Sequence, residues 1–291
     1  MRMGLFDYHY VDEGAGRPIL MVHGNPTWSF YWRHLISQFC DTHRPIAVDH
    51  IGCGLSDKPQ NYDYSLATHV RNLVELIERL DLNDITLVGH DWGGAIGLGA
   101  AVQLPDRFSR FVMFNTAAFP PPFFPWRIRV CRTPLLGQVA LRGMNLFSLA
   151  ALQMAVERPA ELSDKFVDGI LAPYDSWANR VAVHHFVKDI PESPDHPTWR
   201  VLEQIESGVK QFANHPFSLM WGMKDWCFRP ACLDRFVELL PNAEVHKFDN
   251  VGHWIVEEAK TEVGRLFTDF MARTDEVTAQ GEVAPIASPA S

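Results

Sequence analysis

Several features that mark whole protein classes are scarce or missing in this chain. It has five cysteines in 291 residues: Cys40, Cys53, Cys131, Cys227 and Cys232. Their odd number and scatter give neither a disulfide framework nor a Cys-x-x-Cys metal site, and point to a reducing cytoplasm. No apolar run reaches the ~20 residues of a membrane-spanning helix. Met1 to Asp7 lacks the apolar core of a signal peptide. Excess positive charge is also absent. The net charge is −9, which excludes the basic footprint of a nucleic-acid binder. His184-His185 and His196 fall at no metal-ligand spacing with a carboxylate pair and read as solvated residues. Gly52-Cys53-Gly54 is too short for a dinucleotide fingerprint and reads as a turn.

What remains is an ordinary globular composition, 47% hydrophobic and 21% charged. The length fits one large α/β domain, with or without an inserted subdomain. Tyr8 to Val11, Pro18 to Val22 and Arg44 to Asp49 read as strands, and Leu66 to Leu80 has apolar residues at helical spacing. A strand from Phe108 to Asn115 closes the first part of the alternation. From Thr116 to Ala213 the rhythm breaks into Pro-rich and aromatic helical patches. It returns with the strand Phe217 to Gly222, a helix from Leu233 to Leu239, the strand Glu244 to Phe248 and a last helix from about Glu257 to Met271. Such a series predicts a parallel sheet with a helical lid over the carboxyl ends of its strands. The expected division is a core of 1–115 and 214–273, a lid of 116–213 and a disordered tail of 274–291, the tail being Ala, Pro, Ser and Glu with almost no large apolar residue. Of the aromatics Phe119, Phe123, Phe124, Trp126, Phe147, Trp177 and Phe186, about a third are expected to line a pocket and the rest to pack the lid.

The most informative stretch is Ile85 to Gly94, Ile-Thr-Leu-Val-Gly-His-Asp-Trp-Gly-Gly, followed by a smooth apolar helix. This is the strand–turn–helix setting of a nucleophile elbow, whose glycines permit the sharp turn. The central residue is Asp91, not Ser or Cys. A carboxylate attacks carbon directly and becomes an ester that must then be hydrolysed. Such an elbow needs an acid and a His later in the chain, in that order. Asp225 follows the apolar strand Phe217 to Trp221, and His253 follows the next strand on a Gly252-His253 loop. Asp249 also lies near a strand end and is the rival acid. Asn115, at the end of the strand from Phe108, cannot stabilise an imidazolium as a carboxylate does and reads as a hydrogen-bonding helper. The His23-Gly24-Asn25-Pro26 loop is placed to donate a backbone N–H to an oxyanion, with the N–H of Trp92 as the second donor. The Trp92 indole and the Asn25 amide add neutral side-chain donors. Neutral donors beside an attacking carboxylate suit a leaving anion that needs no proton, of which a halide is the simplest.

These residues resemble those of the haloalkane dehalogenases of the α/β-hydrolase superfamily. The resemblance covers roughly Tyr8 to Met271. It rests on His23 to Phe30 (His-Gly-Asn-Pro-Thr-Trp-Ser-Phe), Asp49 to Pro59, Gly89 to Gly94 and Gly252-His253. It implies an α/β-hydrolase fold, with a mostly parallel central sheet, helices on both faces and a helical lid insert. It implies Asp91 as nucleophile, His253 as base, Asp225 as acid, and Asn25 with Trp92 as halide donors. It implies no cofactor or metal, a small hydrophobic substrate and a halide ion, and is compatible with a homo-oligomer. The acid placement and the Asn resemble the third subfamily. The same set resembles the β-lactone decarboxylases of bacterial long-chain olefin synthesis, so both activities stand as expectations. An epoxide hydrolase would typically use two lid tyrosines, whereas only Tyr174 follows Tyr64. A fluoroacetate dehalogenase would carry Arg where Trp92 stands. A non-catalytic binding protein on this fold would often have lost a triad member, and none is missing.

Overall fold

The computed structural model describes residues 1–133 and 135–280. A short antiparallel hairpin, β1 (Arg2–Met3) and β2 (Phe6–Asp7), precedes the main sheet. That sheet contains β3 (Tyr10–Asp12), β4 (Pro18–Val22), β5 (Arg44–Val48), β6 (Ile85–Asp91), β7 (Phe108–Thr116), β8 (Phe217–Gly222) and β9 (Glu244–Phe248). The order across it is β3-β5-β4-β6-β7-β8-β9. Only β3 runs antiparallel to its neighbour; every other pairing is parallel. β4 and β6 are buried along their whole length, which is why β4 reads as an unbroken apolar run and neither strand alternates.

Helices cover both faces. On one, Val70 and Leu73 of α2 (Leu66–Arg79) and Ile96 and Leu98 of α3 (Trp92–Gln103) pack onto Leu20, Leu87 and Met113. Ser65 caps α2 by accepting the Thr68 N–H. On the other face, Leu35 and Phe39 from the helix Arg33–Phe39 join Phe267 and Phe270 against Met21, Val88 and Val112.

The long connection between β7 and β8 is made of helices joined by loops and holds no strand among its described residues. Its last long helix, Pro197–Val209, departs from the expected lid. Leu202 and Ile205 are buried in the core layer, and Gly208 lets Val102 of α3 approach closely. An amphipathic helix reveals its apolar stripe in sequence but not which surface that stripe meets, so this one was indistinguishable from the lid helices before it.

The chain's end also differs from expectation. The final helix runs Lys260–Gln280, well past Met271, so residues 274–280 are helical and not tail. Thr274 is fully buried, and Asp275 pairs with Arg110 and with Arg17 at 3.1 Å. Arg110 is buried within β7 and needs a counter-charge, which a reading of local composition cannot anticipate. The rest of the expected tail, 281–291, lies outside the described residues.

Candidate active site

β6 delivers Asp91 to the end of the sheet and α3 begins at the next residue. Asp91 has φ 54° and ψ −128°. That conformation costs a non-glycine residue roughly 1–3 kcal/mol and persists only where the surroundings over-determine it. They do so here. A Cβ on Gly93 would lie 1.9 Å from the Val22 carbonyl oxygen, and one on Gly24 would lie 2.0 Å from Asp91 Oδ1. Both glycines are therefore required by close approach. The Asn25 backbone N–H donates to Asp91 Oδ1 at 2.7 Å, and the Trp92 backbone N–H also stabilises this carboxylate. Thr116 Oγ1 donates to the Asp91 carbonyl. The two backbone donors expected to serve an oxyanion thus rest on the carboxylate itself.

His253 stands beside it. Its Nδ1–H donates to Asp225 Oδ2 at 2.7 Å, and its Nε2 lies 3.8 Å from Asp91 Oδ2. The other Asp225 oxygen accepts the Cys227 N–H at 2.7 Å. All three side chains are buried. Burial pushes the Asp91 carboxyl up, against the opposing pull of His253 and of the two backbone N–H groups. Burial also works against a charged His253, but the charge and hydrogen bond of Asp225, reinforced by Asp91, outweigh it and raise the imidazole to about 9. The arrangement thus favours an imidazolium at His253.

The neighbours sort themselves around this core. Asp249 is exposed, whereas Asp225 is the carboxylate that is hydrogen-bonded to His253. Asn115 grips Gly222, donating through Nδ2 to its carbonyl at 3.0 Å and accepting its N–H at 2.7 Å. It thereby fixes the strand end from which the acid loop departs. The Asn25 side chain donates one N–H to the Val183 carbonyl at 3.2 Å, which leaves its second amide hydrogen over. The Trp92 indole N–H has no protein partner among the described residues. His184 corrects the expectation of a solvated residue: it is buried, and burial lowers its imidazole to about 4.

Two further residues hold the base loop, and neither was found from sequence. The Glu258 carboxylate, 1% exposed, accepts backbone N–H groups from Gly252, Trp254, Glu157 and Arg158. It brackets His253 on both sides and ties its loop to the insert. His90 packs on His253 at 4.5 Å between ring centroids and donates through Nε2 to the His253 carbonyl at 2.9 Å. Burial keeps His90 neutral, well below the usual imidazole range. An acid just inside a helix start ordinarily faces solvent near the positive end of the helix dipole, so Glu258 gave no distinctive signal.

Two apolar lobes meet at Asp91. The larger, about 480 Å³, is lined by Asn25, His253, Leu141, Phe147, Met154 and Trp226 among others. The smaller, about 100 Å³, is lined by Trp92, Phe119, Phe123, Ile190, Leu202 and Phe228. Asp91, Ile128 and Cys227 belong to both. Four of the seven aromatics singled out from sequence line a lobe, more than the expected third. The arrangement can deliver a carboxylate to a carbon atom in a dry, lipophilic space with neutral N–H donors at hand.

Comparison with known proteins agrees with this geometry. The α/β hydrolase fold family matches residues 17–130. The chain is 42% identical over 278 residues to the cis-3-alkyl-4-alkyloxetan-2-one decarboxylase of Shewanella oneidensis, covering 94% of this chain and 87% of that one. The enzyme of the same name from Xanthomonas campestris is also 42% identical, with 86% and 87% covered. Haloalkane dehalogenase 2 of Mycobacterium bovis is 32% identical, with 86% of each chain covered. Among solved structures, a haloalkane dehalogenase from Agrobacterium tumefaciens superposes with a TM-score of 0.83 at 27% identity, covering 92% of this chain and 93% of that one.

Proposed function

Because this chain belongs to the α/β-hydrolase fold family, alongside haloalkane dehalogenases and cis-3-alkyl-4-alkyloxetan-2-one decarboxylases, we propose that Asp91 attacks a saturated carbon and displaces an anion, as in hydrolytic dehalogenation. The observation that carries the reading is a carboxylate at a nucleophile elbow with His253 3.8 Å away. Asp91 Oδ2 forms the new bond to carbon while the carbon–halogen bond breaks. The indole N–H of Trp92 and the spare amide N–H of Asn25 receive the halide. The product is an alkyl ester of Asp91. Its formation removes the Asp91 charge from beside His253, so the imidazole gives its proton up to solvent and becomes a base. It then takes a proton from water, whose oxygen adds to the ester carbonyl. The developing oxyanion is Oδ1, already accepting the Asn25 backbone N–H, with the Trp92 backbone N–H also on this carboxylate. Collapse releases the alcohol and restores the carboxylate. The helical insert serves as the lid, with no metal or organic cofactor in the cycle. Tyr174 donates its hydroxyl to the Thr27 carbonyl and Tyr64 to the Pro59 carbonyl, so neither supports an epoxide-opening role.

A second reading uses the same first step. An oxetan-2-one is a β-lactone, and attack on its ring carbon next to the ring oxygen expels a carboxylate in place of a halide. Loss of carbon dioxide then forms the double bond as the carbon–Asp91 bond breaks, and no water is consumed. Two observations favour this reading for the substrate the cavity is built around. Two apolar lobes diverge from Asp91, as two alkyl arms require. Identity is higher to the decarboxylases, 42% against 32%. Turnover of 1-bromobutane and of a long-chain cis-β-lactone by the same preparation separates the readings, bromide and alcohol supporting the first, olefin and carbon dioxide the second.

Trp92→Phe removes one donor from a desolvated site, and loss of such a donor costs roughly 2.7–4 kcal/mol, or a factor of about 10² to 10³ in rate. Bromide release should fall by that factor, and bromide quenching of tryptophan fluorescence should weaken in parallel. Unchanged turnover and quenching would mean that Trp92 only packs.

A further inference from the structure

The exposed large apolar side chains of the described residues are not scattered. Eight of twelve fall between Trp126 and Met154 in the insert. On the helix Trp126–Cys131, Trp126 and Val130 face out while Ile128 faces in. On the helix Leu146–Met154, Leu146 and Leu149 face out while Ser148 and Leu152 face in. Val139 is exposed at the start of the π-helical segment Val139–Gly143 between them. Isolated exposed apolar residues need no explanation, but a contiguous set marks a contact surface.

This face has two further properties. Trp126, Val130, Leu146 and Met154 are both exposed and part of the wall of the 480 Å³ lobe. The outer apolar surface is therefore continuous with the chamber that leads to Asp91. The charge is also one-sided. In a chain of net charge −9, the stretch from Phe123 to Val156 carries no Asp or Glu and four arginines, of which Arg142 is buried and Arg132 lies 3.7 Å from Glu192, leaving Arg127 and Arg129 for the outer face. Arg127 lies 5.0 Å over the Trp226 ring and Arg129 lies 5.7 Å over the Phe124 ring. Neither pairs with a carboxylate among the described residues. Arginines lying along aromatic rings beside exposed Trp, Leu and Val are the composition of a surface that sinks its apolar part into the boundary of a lipid layer and keeps its cations at the headgroups.

We propose that this face of the insert docks reversibly on an anionic lipid surface, so that a lipophilic substrate passes from the lipid into the chamber without crossing water. The charge selects the occupant. A second copy of the chain would bring its own arginines against these, whereas anionic headgroups complement them. Docking does not depend on which leaving group Asp91 displaces, and its deciding readout is vesicle binding.

The full chain should be sedimented with vesicles of phosphatidylcholine alone and of phosphatidylcholine with phosphatidylglycerol. Binding is expected to the anionic vesicles, weakening as salt rises. Arg129→Ala should weaken it about fivefold, the equivalent of about 1 kcal/mol per basic side chain at an anionic surface. The paired substitution Val139→Ser and Leu149→Ser should weaken it tenfold or more. Neither position lines the chamber, so turnover of a water-soluble bromoalkane should stay at the parent level, which also checks folding. Absence of binding by the parent chain would overturn the proposal, as would binding indifferent to the paired substitution. A parent dimer that the paired substitution dissociates, with no vesicle binding, would assign the face to self-association instead.

Discussion

His253→Phe is expected to release about one bromide per active site in a burst and then stop. Attack by Asp91 and hydrolysis of the resulting ester need different groups. Attack needs an ionised carboxylate and donors for the halide. Replacing His253 removes its charge from beside Asp91 but leaves the hydrogen bonds that hold the carboxylate, from the Asn25 N–H to Oδ1 at 2.7 Å and from the Trp92 backbone N–H, so attack is expected to persist. Hydrolysis needs a base for water, and among the described residues His253 is the imidazole whose Nε2 lies against Asp91, at 3.8 Å. The neighbouring His90 cannot substitute, since its Nε2–H is committed to the His253 carbonyl. The trapped protein should gain the mass of one alkyl group, mapping to Asp91, whereas Asp91→Ala should show neither burst nor adduct. An adduct on another residue would overturn every role assigned here.

Asp225→Asn should lower steady-state turnover by roughly 10⁴, the size seen when a catalytic His is held in the wrong tautomer. The structure gives the reason. The Cys227 N–H donates to one Asp225 oxygen at 2.7 Å, and His253 Nδ1–H donates to the other, also at 2.7 Å. An asparagine must place its carbonyl oxygen on the Cys227 N–H and so presents its NH₂ group to Nδ1. Nδ1 must then accept, and the imidazole proton moves to Nε2, the nitrogen that should take a proton from water. The loss should therefore fall on hydrolysis, and the burst of bromide should survive. Measuring burst and steady state together checks this. Loss of the burst with the steady state would mean that Asp225 shapes the nucleophile's pocket and not the tautomer of the base.

The parts of this molecule legible in its sequence are those whose signal is local. β4 and β8 begin and end where their apolar runs do, at Pro18–Val22 and Phe217–Gly222, because fully buried strands have no reason to alternate. Asp91, Asp225 and His253 could be listed as neighbours because each follows a strand at the same edge of a parallel sheet, so chain order fixes spatial proximity. Glu258 was hidden because its four N–H partners come from two segments about a hundred residues apart. The helix Pro197–Val209 was assigned to the lid because nothing in its stripe says that Val102 and Val70 lie opposite. Residues 274–280 were read as tail because their anchor is a buried arginine in β7. In each case the missing information was a partner distant in sequence.

The central claim is that Asp91, and not water, makes the first bond to the substrate carbon. The direct measurement is a single turnover of 1-bromobutane in ¹⁸O-labelled water with enzyme in excess. If Asp91 attacks carbon and water attacks the ester carbonyl, the butanol carries unlabelled oxygen from the Asp91 carboxylate. The peptide containing Asp91 then gains one labelled oxygen. If the butanol carries the label and the Asp91 peptide does not, water attacks the substrate directly and the covalent account is wrong.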